Sequence, residues 1–161
     1  MPLDAEKITT LSTIARLAGW SAESVSELAE QLSTLDPTPR EPHELLYAAL
    51  NYGWSKQQQL IVCLDWKSAV SELIWQLKTI LQQQGVSISE VPLGRFTPPD
   101  DVAVYEDGCF EHFDAWLRGR GRELQSIHIP GDHYLFTVGR VADRHDWWRA
   151  FHTLGIRITK L

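Results

Sequence analysis

Histidine, cysteine and carboxylate side chains carry most enzyme chemistry, and this chain has six His, two Cys and 21 Asp plus Glu in 161 residues. His128, Asp132 and His133 fall around one Pro-Gly turn. Two neutral imidazoles and a carboxylate can hold a transition metal or run acid–base chemistry, which makes a small metal-dependent hydrolase one expectation. Their spacing matches neither a zinc-peptidase nor a zinc-finger pattern, and polar residues beside a hairpin turn are ordinarily exposed. His145 and His152, seven apart, share a helix face. Cys63 sits inside the run Leu60-Ile61-Val62-Cys63-Leu64, where a thiol is a small hydrophobe with a raised pKa. Cys109 stands near a helix start, which favours the thiolate, but Glu106, Asp107 and Glu111 oppose it. No Gly-x-Ser-x-Gly elbow, phosphate loop or dinucleotide fingerprint occurs. The motifs therefore assign no catalytic residue, no metal ligand and no cofactor.

The remaining chemistry is charge. Asp100, Asp101, Glu106, Asp107, Glu111 and Asp114 follow one another with no Lys or Arg between Arg95 and Arg118. Up to Trp66 there are four basic residues against nine acidic, and the stretch after Trp116 is net basic. A solvated acidic surface keeps a small domain soluble; the same surface steers a protein toward a basic partner. Two of the seven tryptophans add to the second reading. Trp75 falls outside the apolar face of its helix, and Trp148 shares a helix side with His145, Arg149 and His152. Such aromatics have the composition of an interface anchor. Trp20, Trp54 and Trp66 read as packing residues. In Gly119-Arg120-Gly121-Arg122 the arginines read as complements to a helix dipole rather than RNA contacts.

The elements that must position these residues follow from periodicity and caps. Asp4 and Ser21 start two helices, Ala5–Ala18 and Ala22–Leu35, separated by Gly19. Three prolines between Asp36 and Pro42 break the pattern, and a third helix runs from His43 to Tyr52 with Gly53 as its stop. A strand over Gln59–Trp66, a helix over Ala69–Gln84 and a strand over Val86–Ser89 come next. A helix over Ala103–Arg118 follows, its pattern helical at least from Phe110 onward. Strands around Pro130-Gly131-Asp132, a helix from Asp143 to Gly155 and a strand over Ile156–Thr159 complete the chain. The expected fold is α+β: a helical subregion, residues 1–53, on an α+β core, residues 54–161, in a single domain. Its sheet is expected to be mixed, mostly antiparallel and covered by helices.

Three segments carry a resemblance: Cys63-Leu64-Asp65-Trp66-Lys67, Ile127-His128-Ile129-Pro130-Gly131-Asp132-His133-Tyr134-Leu135-Phe136 and Leu154-Gly155-Ile156-Arg157. Over roughly residues 45–160 the chain resembles the bacterial domain-of-unknown-function family DUF6630. The resemblance implies a fold and a bacterial origin and carries no activity. Members have a small polar or acidic residue where this chain has His133. Composition excludes other classes. With 43% hydrophobic and 22% charged residues the chain is globular, and a net charge of −6 disfavours nucleic acid and anionic membranes as partners. Two cysteines make no disulfide framework, Met1-Pro2-Leu3-Asp4 is unlike a signal peptide, and no apolar run reaches membrane-spanning length, so the expected location is the cytoplasm. The expected function is a non-catalytic protein-binding module of the immunity type, which neutralises a cognate toxin by covering its basic active-site surface. The alternatives are the hydrolase and a self-associating, homodimeric regulatory domain.

Overall fold

A computed structural model describes residues 4–36, 38 and 40–161. Helices α1 (Ala5–Leu17), α2 (Ala22–Ser33) and α3 (Pro42–Ser55) precede strand β1 (Val62–Asp65). Then come α4 (Val70–Gln83), α5 (Cys109–Arg118), the hairpin β2 (Arg122–His128) and β3 (His133–Arg140), α6 (Arg144–Leu154) and β4 (Arg157–Lys160). Pro37, Pro39 and Met1 to Leu3 lie outside the described residues, and with them part of the proline break and of the N-terminal reading.

Local signals set most boundaries. The Asp4 carboxylate accepts the Glu6 N–H at 3.0 Å and the Ser21 hydroxyl accepts the Ser24 N–H at 3.2 Å, each satisfying a donor left open by its helix. Gly155 ends α6 at φ 78°. Gly53 is no stop: α3 runs through it to Ser55, and a Cβ there would lie 2.7 Å from the Trp20 ring. Its missing side chain is a seat for the α1–α2 turn.

The sheet has the order β1-β3-β2-β4, and every neighbouring pair is antiparallel, so the expected mixed sheet is not formed. The two crossovers, β1 to β2 and β3 to β4, each pass over one intervening strand, which separates the strands that run in the same direction. The residues of Val86–Ser89 form no strand. Gly85 closes α4 and the Val86 N–H donates back to the Leu81 carbonyl at 2.8 Å, while Val86 and Ile88 lean on the core, which produces an alternating pattern without a ladder.

Both sheet faces are covered. On one, Cys63, Ile127 and Leu135 pack under α1, α2, α3 and α6 with Trp147 and Phe151. On the other, Val62, Leu64, Leu124, Phe136 and Val138 pack under α4 and α5 with Phe113. Successive strand residues point to opposite faces, so the apolar run of β1 serves both cores. Gly139 lets Trp147 lie on the sheet, since a Cβ there would meet the indole Nε1 at 2.1 Å.

Side chains close the sheet edges. The Gln76 amide on α4 takes the outward backbone of β1: its Oε1 accepts the Cys63 N–H at 2.8 Å and its Nε2 donates to the Cys63 carbonyl at 2.8 Å. One glutamine thus stands in for a fifth strand and blunts an edge that would otherwise recruit another chain. On the other side β4 pairs only with the Gln125–His128 part of β2, and beyond it the Asp114 carboxylate accepts the Leu124 N–H at 2.8 Å.

Candidate functional site

Between α4 and α5 the chain runs about 25 residues without a helix or strand. Connections that long inside a compact fold are usually functional or disordered. This one is ordered by backbone bonds. The Ser71 N–H donates to the Pro99 carbonyl at 3.0 Å, Val70 to Val102 at 2.8 Å and Val104 to Ser68 at 2.9 Å, which tie the acidic segment to the first turn of α4. The Arg95 guanidinium donates to the Asp107 carbonyl and lies over Phe96, joining the two ends of the loop. Asp100, Asp101, Glu106 and Asp107 are all exposed on this framework, and Glu111 is exposed on the first turn of α5.

Aromatic rings stand beside the carboxylates. Tyr105, 54% exposed, packs against Trp66, 46% exposed, with ring centroids 6.1 Å apart. The Lys67 ammonium sits 4.9 Å from the Trp66 ring. Asp65 sets the turn that presents this indole: its carboxylate accepts the Lys67 N–H at 2.8 Å and its carbonyl accepts the Ser68 N–H at 2.9 Å. Trp66 is thus an exposed residue and not the packing residue expected of it. Trp54 is corrected in the same way. It is 44% exposed, donates its indole N–H to Gln59 Oε1 at 2.9 Å and lines a groove of about 610 Å3 with Trp75, the most exposed tryptophan at 59%. Trp20 is buried, as expected of a packing residue.

Three of the expected partner-binding residues lie elsewhere, the first being Trp75, whose groove includes none of the acidic-loop carboxylates. Asp114 is buried and serves the fold, receiving the Leu124 N–H and pairing with Arg118 at 2.7 Å. It also neighbours the buried Glu123, which takes a two-pronged contact from Arg144 at 2.7 and 2.5 Å. Trp148 belongs to α6, on the sheet face opposite the one covered by α4 and α5, and stands edge-on to His145 with centroids 5.8 Å apart. It is 36% exposed beside Arg149, His152 and Arg157, a basic setting remote in layer from the acidic loop.

The histidine group does not assemble. By strand alternation His128 projects to the α4–α5 side, where its Nε2 contacts the Thr159 hydroxyl at 2.7 Å. His133 projects to the other side, edge-on to Tyr47 with centroids 6.4 Å apart. Among the described residues no three His, Cys, Asp or Glu side chains come together as a metal site requires. Both thiols are buried, and burial pushes each up to about 11, with Glu72 adding to the effect at Cys63 and Glu111 at Cys109. A thiol so placed stays protonated and is a poor nucleophile. Of the arginines beyond α5, Arg120 stacks on Trp116 and reaches its carbonyl at the helix end, while Arg122 donates to Gln84 Oε1 at 3.0 Å.

A family model described as a domain of unknown function, DUF6630, matches residues 4–161. The chain belongs to the DUF6630 family. No curated protein and no solved structure matches it. In this DUF6630 domain the Leu64-Asp65-Trp66-Lys67 segment that carries the sequence resemblance is the one that presents the exposed indole. No helix among the described residues is long and apolar enough to cross a membrane.

Proposed function

We propose that this DUF6630 domain is a non-catalytic, cytoplasmic binding module that docks a basic protein surface through its acidic loop. The role we infer is that of an immunity protein covering the active site of a cognate toxin. The observation that supports it is the Trp66–Tyr105 pair, exposed beside Asp100, Asp101, Glu106 and Asp107 on a loop fixed by backbone bonds. Exposed carboxylates attract a basic surface over roughly a Debye length of about 8 Å at physiological salt, and they set approach rate and partner choice. Rigid aromatics supply the short-range contact, because an indole buries a large area at small conformational cost. Fixing the loop beforehand removes part of the ordering cost of association.

The test is capture from the native bacterium with two baits, the intact domain and a variant carrying Asp100→Lys, Asp101→Lys and Glu106→Lys. The expected result is a basic protein held by the intact domain at low salt, released at high salt and missing from the variant eluate. That protein should arrest growth when expressed alone and lose this effect when the intact domain is co-expressed. An identical set of captured proteins for both baits refutes the acidic docking face, and a captured protein that does not arrest growth refutes the immunity role.

A further inference from the structure

A second surface has the opposite charge. Where α1, the end of α4, the far end of the β2–β3 hairpin and α6 converge, a cleft of about 810 Å3 opens, and four arginines line it: Arg16, Arg122, Arg140 and Arg149. Two aspartates, Asp143 and Asp146, share the lining. In a chain with a net charge of −6, four of its 15 basic residues thus meet in one concavity.

Arg122 and Arg140 are direct cross-strand partners in the β2–β3 ladder. Like charges placed opposite each other on adjacent strands repel, and here the repulsion is only partly offset. Arg140 pairs with Asp143 at 2.8 Å and Arg122 leans on the neutral Gln84, while Arg149 reaches Asp146 at 4.0 Å. Arg16 makes no side-chain hydrogen bond or ion pair among the described residues. Asp143 takes the Nε and Nη2 donors of Arg140 together, so an anion here would relieve the remaining repulsion and draw its paired N–H donors chiefly from Arg16 and Arg149.

The threonines of the cleft say more about the ligand. The hydroxyls of Thr9, Thr13 and Thr153 donate to carbonyls one turn back along their own helices, at 2.9, 3.0 and 2.9 Å. In this arrangement the hydroxyls offer lone pairs to a ligand that brings its own donors. A ligand that suits both sets has anionic oxygens for the arginines and hydroxyl groups for the threonines. We propose that the cleft between α1 and α6 binds a phosphorylated polyol, of the sugar-phosphate or nucleotide kind. The volume suits a ligand of that size, within the roughly 300–1,000 Å3 of small-molecule sites. This site is independent of the acidic docking face and stands whether or not that face binds a protein.

Calorimetric titration of the full chain at low salt with ribose 5-phosphate, inorganic phosphate and ribose tests it. The expected outcome is saturable one-to-one binding of ribose 5-phosphate, weaker binding of inorganic phosphate and none of ribose. A variant carrying Arg16→Gln and Arg149→Gln, both exposed side chains whose loss spares the core, is expected to weaken ribose 5-phosphate binding by about tenfold or more. Arg157→Gln, outside the cleft, should leave it within about twofold, since a distant exposed charge acts only through screened attraction. No saturable binding, or equal losses in the cleft and control variants, overturns the site. Equal affinity for phosphate and ribose 5-phosphate overturns the polyol assignment.

Discussion

Asp114 and Glu111 are three residues apart on α5, and the fold gives them opposite tasks. Glu111 is exposed, whereas Asp114 is buried with the Leu124 N–H on one oxygen and Arg118 on the other. Asp114→Ala leaves a buried backbone donor unpaired, and the expected loss is about 1–3 kcal/mol of stability in urea unfolding. Asp114→Asn retains an acceptor and should lose less, while Glu111→Ala should stay within about 0.5 kcal/mol of the parent. Equal stability of the Asp114→Ala and Glu111→Ala variants would contradict this placement. The cysteines give a pH prediction. Their pKa rises from 9.0 to about 11 on folding, so the native state gains stability from the protonated thiols at pH below the unfolded value and loses it as pH climbs through about 11. The expected measurements are a melting temperature that falls between those two values, less steeply in a Cys63→Ala, Cys109→Ala double variant, and thiols that react with a disulfide reagent at about pH 8 only after denaturation.

At the scale of elements, Gln76 is the most exposed to test. Gln76→Leu keeps the apolar packing of α4 but orphans both the N–H and the carbonyl of Cys63 on the β1 edge. The expected cost is about 2–5 kcal/mol, two buried polar groups losing partners together, and size-exclusion chromatography should show association through the reopened edge. A monomeric variant of unchanged stability would show that the edge is closed by something else. The caps at Asp4, Ser21 and Gly155 and the helical stripes were legible because each is written within a few neighbouring residues. What failed was non-local. Gly53 looks like a stop until Trp20, from the α1–α2 turn, fills the place of its missing side chain. Val86–Ser89 alternates like a strand, but only the packed core explains why no ladder forms. The acidic run could be read directly, since its exposed members are consecutive in sequence. Its aromatic half could not, because Trp66 and Tyr105 meet only when the loop pairs with the start of α4. The arginine cleft was less legible still, with its four cations drawn from α1, β2, β3 and α6.

Across the whole molecule, the helical segment and the α+β core depend on each other. Cys63, Ile127 and Leu135 on the sheet and Trp147 and Phe151 on α6 form one buried cluster with Leu11, Ile14, Leu28, Leu46 and Leu50 of α1, α2 and α3. A chain beginning at residue 58 would leave that face covered by α6 alone, and each large side chain uncovered forfeits about 1.5–3 kcal/mol, which over the cluster rivals the roughly 5–15 kcal/mol by which such domains are stable. The fragment 58–161 should therefore lack near-ultraviolet circular dichroism and aggregate. The full chain should unfold in urea in one transition, with helix content and tryptophan fluorescence changing together, because Trp20 of the α1–α2 turn and Trp147 of α6 sit in the same cluster. A soluble fragment with cooperative unfolding would separate the two parts and make the helical segment an appendage. The arginine cleft discriminates the same way, since Arg16 comes from the helical segment and Arg122, Arg140 and Arg149 from the core. If the two parts fold as one unit, mixing the fragments 1–57 and 58–161 should restore ribose 5-phosphate binding only to the extent that it restores the native circular dichroism.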